Sequence, residues 1–136
     1  MRPCIACTRC VKWRPSLAPK LVLHSVMISS GNLRDGLPSG IAASETFDTL
    51  IEQKNLRIER IVSTGQITPA GEWYDAGEAE FVLLVSGAAR LRIEGEDEDR
   101  ELGEGDYILL PPHCRHRVTF TRAAPPTIWL AMYFAA

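Results

Sequence analysis

A chain of 136 residues with 46% hydrophobic content is sized for one domain around a single modest core. Its net charge of -2 argues against the clustered Lys and Arg of a nucleic-acid-binding face. No run approaches the ~18 apolar residues that a membrane span requires, so a soluble, cytoplasmic protein is expected, with neither nucleic acid nor membrane as partner.

In chain order, residues 1-26 come first and differ in composition from the rest. They hold five basic residues and no acid, which leaves ten basic against 17 acidic residues for the remainder. Three of the four cysteines lie here, as Cys4, Cys7 and Cys10. That spacing can present thiolates to zinc or to an iron–sulfur cluster, but a fourth ligand is missing nearby, since Arg14 and Pro15 stand where a ferredoxin run has Cys-Pro. A basic targeting peptide and a start of the native chain at Met27 are the competing readings. The expectation is a disordered head, or one outside the native protein, followed by a single domain over 27-136 with its core at about 56-134.

A polar lead, Ser29 to Asn32, precedes a predicted short helix at Ser44 to Ile51, where Phe47, Leu50 and Ile51 have helical spacing and Ser44 is the cap. After Asn55 the period becomes that of strands. Leu56 to Val62 and Ala89 to Glu94 set apolar residues largely opposite charges, as half-buried strands do. Phe81 to Val85 and Tyr107 to Leu110 are continuous apolar runs of strand length, and Arg117 to Thr121 and Thr127 to Tyr133 complete the set. Turn signals separate them: Thr68 to Gly71, Ser86-Gly87, Gly95 to Asp99, Gly103 to Gly105, Pro111-Pro112 and Ala123 to Pro126. Many short strands at such intervals predict an all-β sandwich or barrel. The acidic cluster Glu94 to Asp99 reads as a solvated hairpin tip rather than a cation site, because adjacent carboxylates repel and no spacing converges them.

Gly105, Pro111 and His116 match in register the second motif of the cupin superfamily, G-x5-P-x-G-x2-H-x3-N, with His113 at its second glycine and Phe120 at its asparagine. The first motif, G-x5-H-x-H-x3-4-E-x6-G, has a partial partner in Glu80 and Gly87. Its histidine positions fall on Tyr74 and Ala76 or on Trp73 and Asp75, depending on the spacer. The chain thus resembles the small single-domain cupins that carry Trp-Tyr-Asp in place of His-x-His. Such proteins begin near this chain's Met27.

The resemblance implies a small jelly-roll β-barrel whose polar side chains converge on a divalent transition metal: Fe, Mn, Ni or Zn. Carried over residue by residue, it makes His116 and Glu80 ligands, with Asp75 a replacement for a motif-one histidine. His113 is added from its position three residues before His116 in a proline-bounded turn, where strand alternation need not hold. His113, His116 and one carboxylate would compose a two-His-one-carboxylate triad. Trp73, Tyr74, Tyr107 and Trp129, with Tyr133, are candidates to line a ligand pocket.

Plainer roles stand beside these. Glu80 can pair with Arg115 or Arg117, the aromatics can be core or a dimer face, and Cys114 can be a small buried residue. Two functions from different classes follow: a metal-dependent enzyme acting on a small polar molecule, or a metal-free module that binds a small ligand. The apolar ending Trp129 to Phe134 further predicts a homodimer.

Overall fold

The computed structural model describes residues 28-136; the expectations for residues 1-26 and their cysteines concern a segment outside these. Eight strands follow one another: β1 Thr46–Gln53, β2 Leu56–Ser63, β3 Ala79–Ser86, β4 Ala89–Ile93, β5 Arg100–Leu102, β6 Tyr107–Leu110, β7 His116–Thr121 and β8 Thr127–Phe134. They form a five-stranded sheet in the order β1-β2-β8-β3-β6 and a three-stranded sheet in the order β5-β4-β7, with antiparallel pairing throughout. This is the expected all-β jelly roll. The predicted strands fall on β2, β3, β4, β6, β7 and β8.

The helix predicted over Ser44 to Ile51 is instead strand β1 with the bend that leads into it. β1 pairs with β2 from Thr46 opposite Val62 to Gln53 opposite Leu56, and a bulge between Thr49 and Ile51 leaves Leu50 as the extra residue. The bulge shifts the alternation by one, so that 47, 50 and 51 imitate helical spacing. The β-branched Thr46, Thr49 and Ile51 fit the strand, and long-range pairing with β2 decides the outcome. β5 escaped sequence reading because it has three residues. The acidic turn Glu94 to Asp99 does join β4 to β5, with Glu94, Glu96 and Asp99 each paired to an arginine: Arg115, Arg100 and Arg92.

Register explains how the core and the site share one interior. Across β2, β8 and β3, Ile61 faces Trp129 and Trp129 faces Leu84. One alternation further stand Glu59, Ala131, Val82 and, on β6, Ile108. The next row is Arg57, Tyr133, Glu80 and Leu110. Side chains two apart on a strand share a face, so one inner surface runs from apolar to polar along its length. The apolar end is closed by Leu84, Ala89, Leu91, Leu102, Val82 and Trp129, with Ile61, Ile108 and Val118 packed on them. The Trp129 indole N–H donates to Ser63 Oγ at 3.0 Å, which supplies the partner that a buried indole needs. The polar end opens into a cavity.

Candidate functional site

The cavity has a volume of about 210 Å³ and lies between the two sheets at the polar end of the rows just described. Glu80 and Val82 reach it from β3, Trp129 and Tyr133 from β8, and His116 and Val118 from β7, each pair an even number of residues apart as alternation demands. Tyr74 enters from the segment before β3. Its backbone N–H donates to the His116 carbonyl at 2.8 Å, and the His116 N–H donates back to the Tyr74 carbonyl at 3.2 Å. That bridge extends the smaller sheet by one residue and sets the Tyr74 ring 5.5 Å from the His116 ring.

Glu80 and His116 form the chemical centre. The His116 side chain is 9% exposed and that of Glu80 13%, with Nε2 and Oε2 3.6 Å apart. His116 Nδ1 lies 2.9 Å from the Cys114 carbonyl oxygen, which can only accept, so Nδ1 carries a proton and, in the neutral ring, Nε2 presents a lone pair to the cavity. Burial raises the Glu80 pKa above its ordinary value, against the lowering that a protonated His116 and the neighbouring Tyr133 hydroxyl exert. Burial and the neighbouring Glu80 and Glu59 carboxylates in turn push the Tyr133 phenol well above its usual range. Tyr74 is raised as well, by burial first and then by Glu45 and Glu80.

The four residues proposed as ligands separate into two pairs. Glu80 and His116 face inward; Asp75 and His113 meet at 3.0 Å on the outside, with side chains 46% and 75% exposed. The cause lies in the turn. His113 has φ +60, its N–H donates to the Ala76 carbonyl at 2.7 Å, and the Cys114 N–H returns to the Pro111 carbonyl at 3.1 Å. This left-handed residue swings the imidazole outward, so the His113, His116 and carboxylate triad does not form. Asp75 still lines the cavity at its edge.

The aromatic candidates divide too. Tyr74, Trp129 and Tyr133 line the cavity, whereas Trp73 and Tyr107 do not. Trp73 precedes the bridged Tyr74 and so points the other way, beneath the guanidinium groups of Arg115 and Arg117 at 5.6 and 5.8 Å. Tyr107 alternates outward on β6, 67% exposed and stacked on Phe81. The arginines do not pair with Glu80: Arg115 bonds Glu94, and Arg117 donates to the Thr68 carbonyl. Cys114 is half-buried with its thiol pKa pushed up by that burial.

Sequence reading missed Glu45 and Phe47 at the cavity, because both were assigned to a helix. Val82, Leu91, Leu110 and Val118 were legible by parity once Glu80 and His116 were placed. For the divalent metal that cupins commonly hold, Glu80 and His116 are the donors that meet; Glu45 and Asp75 also line the cavity but bond Ser63 and His113, and among the described residues no three His, Cys, Asp or Glu side chains converge in a metal-holding group. Zinc and iron centres take at least three protein ligands. The arrangement does not fit such a centre.

The chain matches the family described as Cupin domain over residues 61-133. It therefore belongs to the cupin superfamily. Among solved structures it is similar to a putative mannose-6-phosphate isomerase from Ralstonia eutropha, at 45% identity over 80% of this chain and 100% of that one, with a TM-score of 0.77. An RmlC-like cupin from Shewanella frigidimarina matches at 18% identity over 71% of this chain and 80% of that one, with a TM-score of 0.57. A cupin superfamily protein from Desulfitobacterium hafniense matches at 15% identity over 90% and 94% of the respective chains, with a TM-score of 0.58. The last two likenesses concern the fold alone. No curated protein matches the chain. Among the described residues, no helix is long and apolar enough to cross a membrane.

Proposed function

We propose that the protein binds a small molecule in the barrel without a metal, holding its polar group between Glu80 and His116 and its apolar part against Trp129, Val82, Leu91 and Val118. The observation that carries this reading is the buried pair itself. Two titratable groups, 3.6 Å apart and aimed into a cavity of about 210 Å³, are too far apart to satisfy each other and stand within reach of a guest. Their chemistry is complementary. His116 Nε2 is a proton acceptor, and Glu80, whose pKa burial raises, retains its proton to higher pH than an exposed carboxyl. Such a pair can remove a proton from one position of a bound molecule and return one at another, which gives the site a capacity for acid–base chemistry.

The name of the Ralstonia eutropha relative points to isomerisation of a sugar phosphate, a reaction built on proton transfer. Proton transfer suits the pair. The experiment combines metal analysis by plasma mass spectrometry with a fragment screen by protein-observed NMR, on the parent and on His116→Ala. Sub-stoichiometric metal in the parent, with fragment hits that shift Tyr74, Glu80 and Tyr133 and vanish in the variant, is the expected result. Near-stoichiometric metal that disappears with His116 would overturn the metal-free reading.

A further inference from the structure

The proposed pocket has a sign. Three of its lining side chains are carboxylates, Glu45, Asp75 and Glu80, and none of the described residues that line it is Lys or Arg. Arg57, the cation that acts on Glu80, is committed elsewhere: its guanidinium lies over the Tyr133 ring at 4.4 Å and pairs with Glu59 at 3.0 Å and Glu78 at 3.9 Å. His113 lies outside, against Asp75. The donor and acceptor inventory leans the same way. The carboxylates accept, and so does the lone pair on His116 Nε2, an atom on a side chain nine-tenths buried for which no hydrogen bond is formed among the described residues. The remaining walls are aromatic, Tyr74, Trp129, Tyr133 and Phe47, with the two phenol hydroxyls as the uncharged groups among them that can donate or accept.

Resting on the reading of this cavity as a small-molecule site, we infer that its ligand is a small protonated amine with a compact apolar body, and that phosphorylated sugars are excluded. An ammonium N–H has two acceptors waiting at the buried end, the Glu80 carboxylate and His116 Nε2. It also gains from aromatic faces, which attract cations and repel anions. A phosphate dianion placed in the same space meets three acids and finds no lining cation, so its dehydration has no compensation. The two lining phenols report the same potential, since both Tyr74 and Tyr133 are raised in part by neighbouring carboxylates. Desolvation dominates the perturbation of Glu80, and a bound cation would offset that desolvation.

A matched series tests the charge directly: 3-methylbutan-1-amine, 3-methylbutan-1-ol, 3-methylbutanoate and mannose 6-phosphate, titrated into the full chain by NMR near neutral pH. The amine should bind about tenfold or more tightly than the alcohol, with signals of Tyr74, Glu80 and Tyr133 shifting, while neither anion reaches saturation. Glu80→Gln, which keeps the shape and removes the charge, should bring amine and alcohol to within about threefold of each other. If the alcohol matches the amine in the parent, and both are lost in His116→Ala, the pocket reading stands and the inference about charge falls. Preferential binding of mannose 6-phosphate or the carboxylate also overturns it. If none of the four compounds perturbs the cavity residues, both readings fall together.

Discussion

Gly87 closes the Glu-x6-Gly spacing of the partly matched first motif, and the structure gives the spacing a physical cause. The residue has φ +97, and a Cβ added there would lie 2.6 Å from Thr127 Oγ1 and 2.7 Å from Thr127 Cα. Neither the backbone angle nor the space admits a side chain. Gly87→Ala should therefore cost at least about 2 kcal/mol of stability, read from denaturant unfolding. Glu80 makes the second prediction at this scale. Its carboxyl is raised from an ordinary value of 4.5 by burial, against the opposing charge of His116. Between the unfolded and folded values the native state binds more protons, so this contribution to stability is fully present below the unfolded pKa and is lost as pH rises through the folded one. Glu80→Gln should then raise the melting temperature at about pH 8, with the gain shrinking towards about pH 4. A pH-independent difference would argue that burial does not control this carboxyl.

Strand β2 shows how an element serves two masters. Its inward residues Arg57, Glu59, Ile61 and Ser63 supply the polar end of the interior, one wall of the cavity and the partner of the Trp129 indole. Outward, Arg60 anchors the chain that precedes β1: it bonds Asp48 Oδ2 at 2.9 and 2.6 Å and donates to the carbonyls of Leu33 and Asp35. The Arg60 side chain is only 14% exposed, so loss of these bonds would leave partners unsatisfied at a partly dry site. Arg60→Ala should destabilise by about 1–3 kcal/mol and accelerate proteolysis near residues 33-36, measured by thermal unfolding and limited digestion. By contrast, Leu84→Ala on β3, at 0% exposure, should cost about 2–5 kcal/mol through the cavity it leaves and should not change the cutting pattern near Leu33.

For the whole molecule, association is the property that the sheet order reinterprets. The apolar ending Trp129 to Phe134 is not a spare surface, because β8 is the central strand of the larger sheet, hydrogen-bonded to β2 and β3. Burial of the fold's own centre explains its composition. Exposed apolar side chains lie instead on the edge strands, Phe47, Leu50 and Ile51 on β1 and Tyr107 and Leu109 on β6. An edge so furnished invites pairing with a second copy. We expect light scattering at micromolar concentration to give twice the 15.1 kDa of the chain, and Ile51→Lys to give the single mass. A single mass for the parent would dismiss the dimer.

The sequence alone determined the all-β class, six of the eight strands, the family and the inward pair of Glu80 and His116. It did so because alternation, turn residues and a fixed motif spacing are local properties that survive without coordinates. Only the tertiary structure decided the rest. The bulge at Leu50 disguised β1, and the left-handed turn at His113 parted the two histidines that stand three residues apart. The bridge between Tyr74 and His116 sent Trp73 outward, and the row of Arg57, Tyr133, Glu80 and Leu110 gathered the polar end from four strands. These outcomes depend on which residues face one another across strands distant in sequence, and that register is set by burying the common core rather than by any neighbour along the chain.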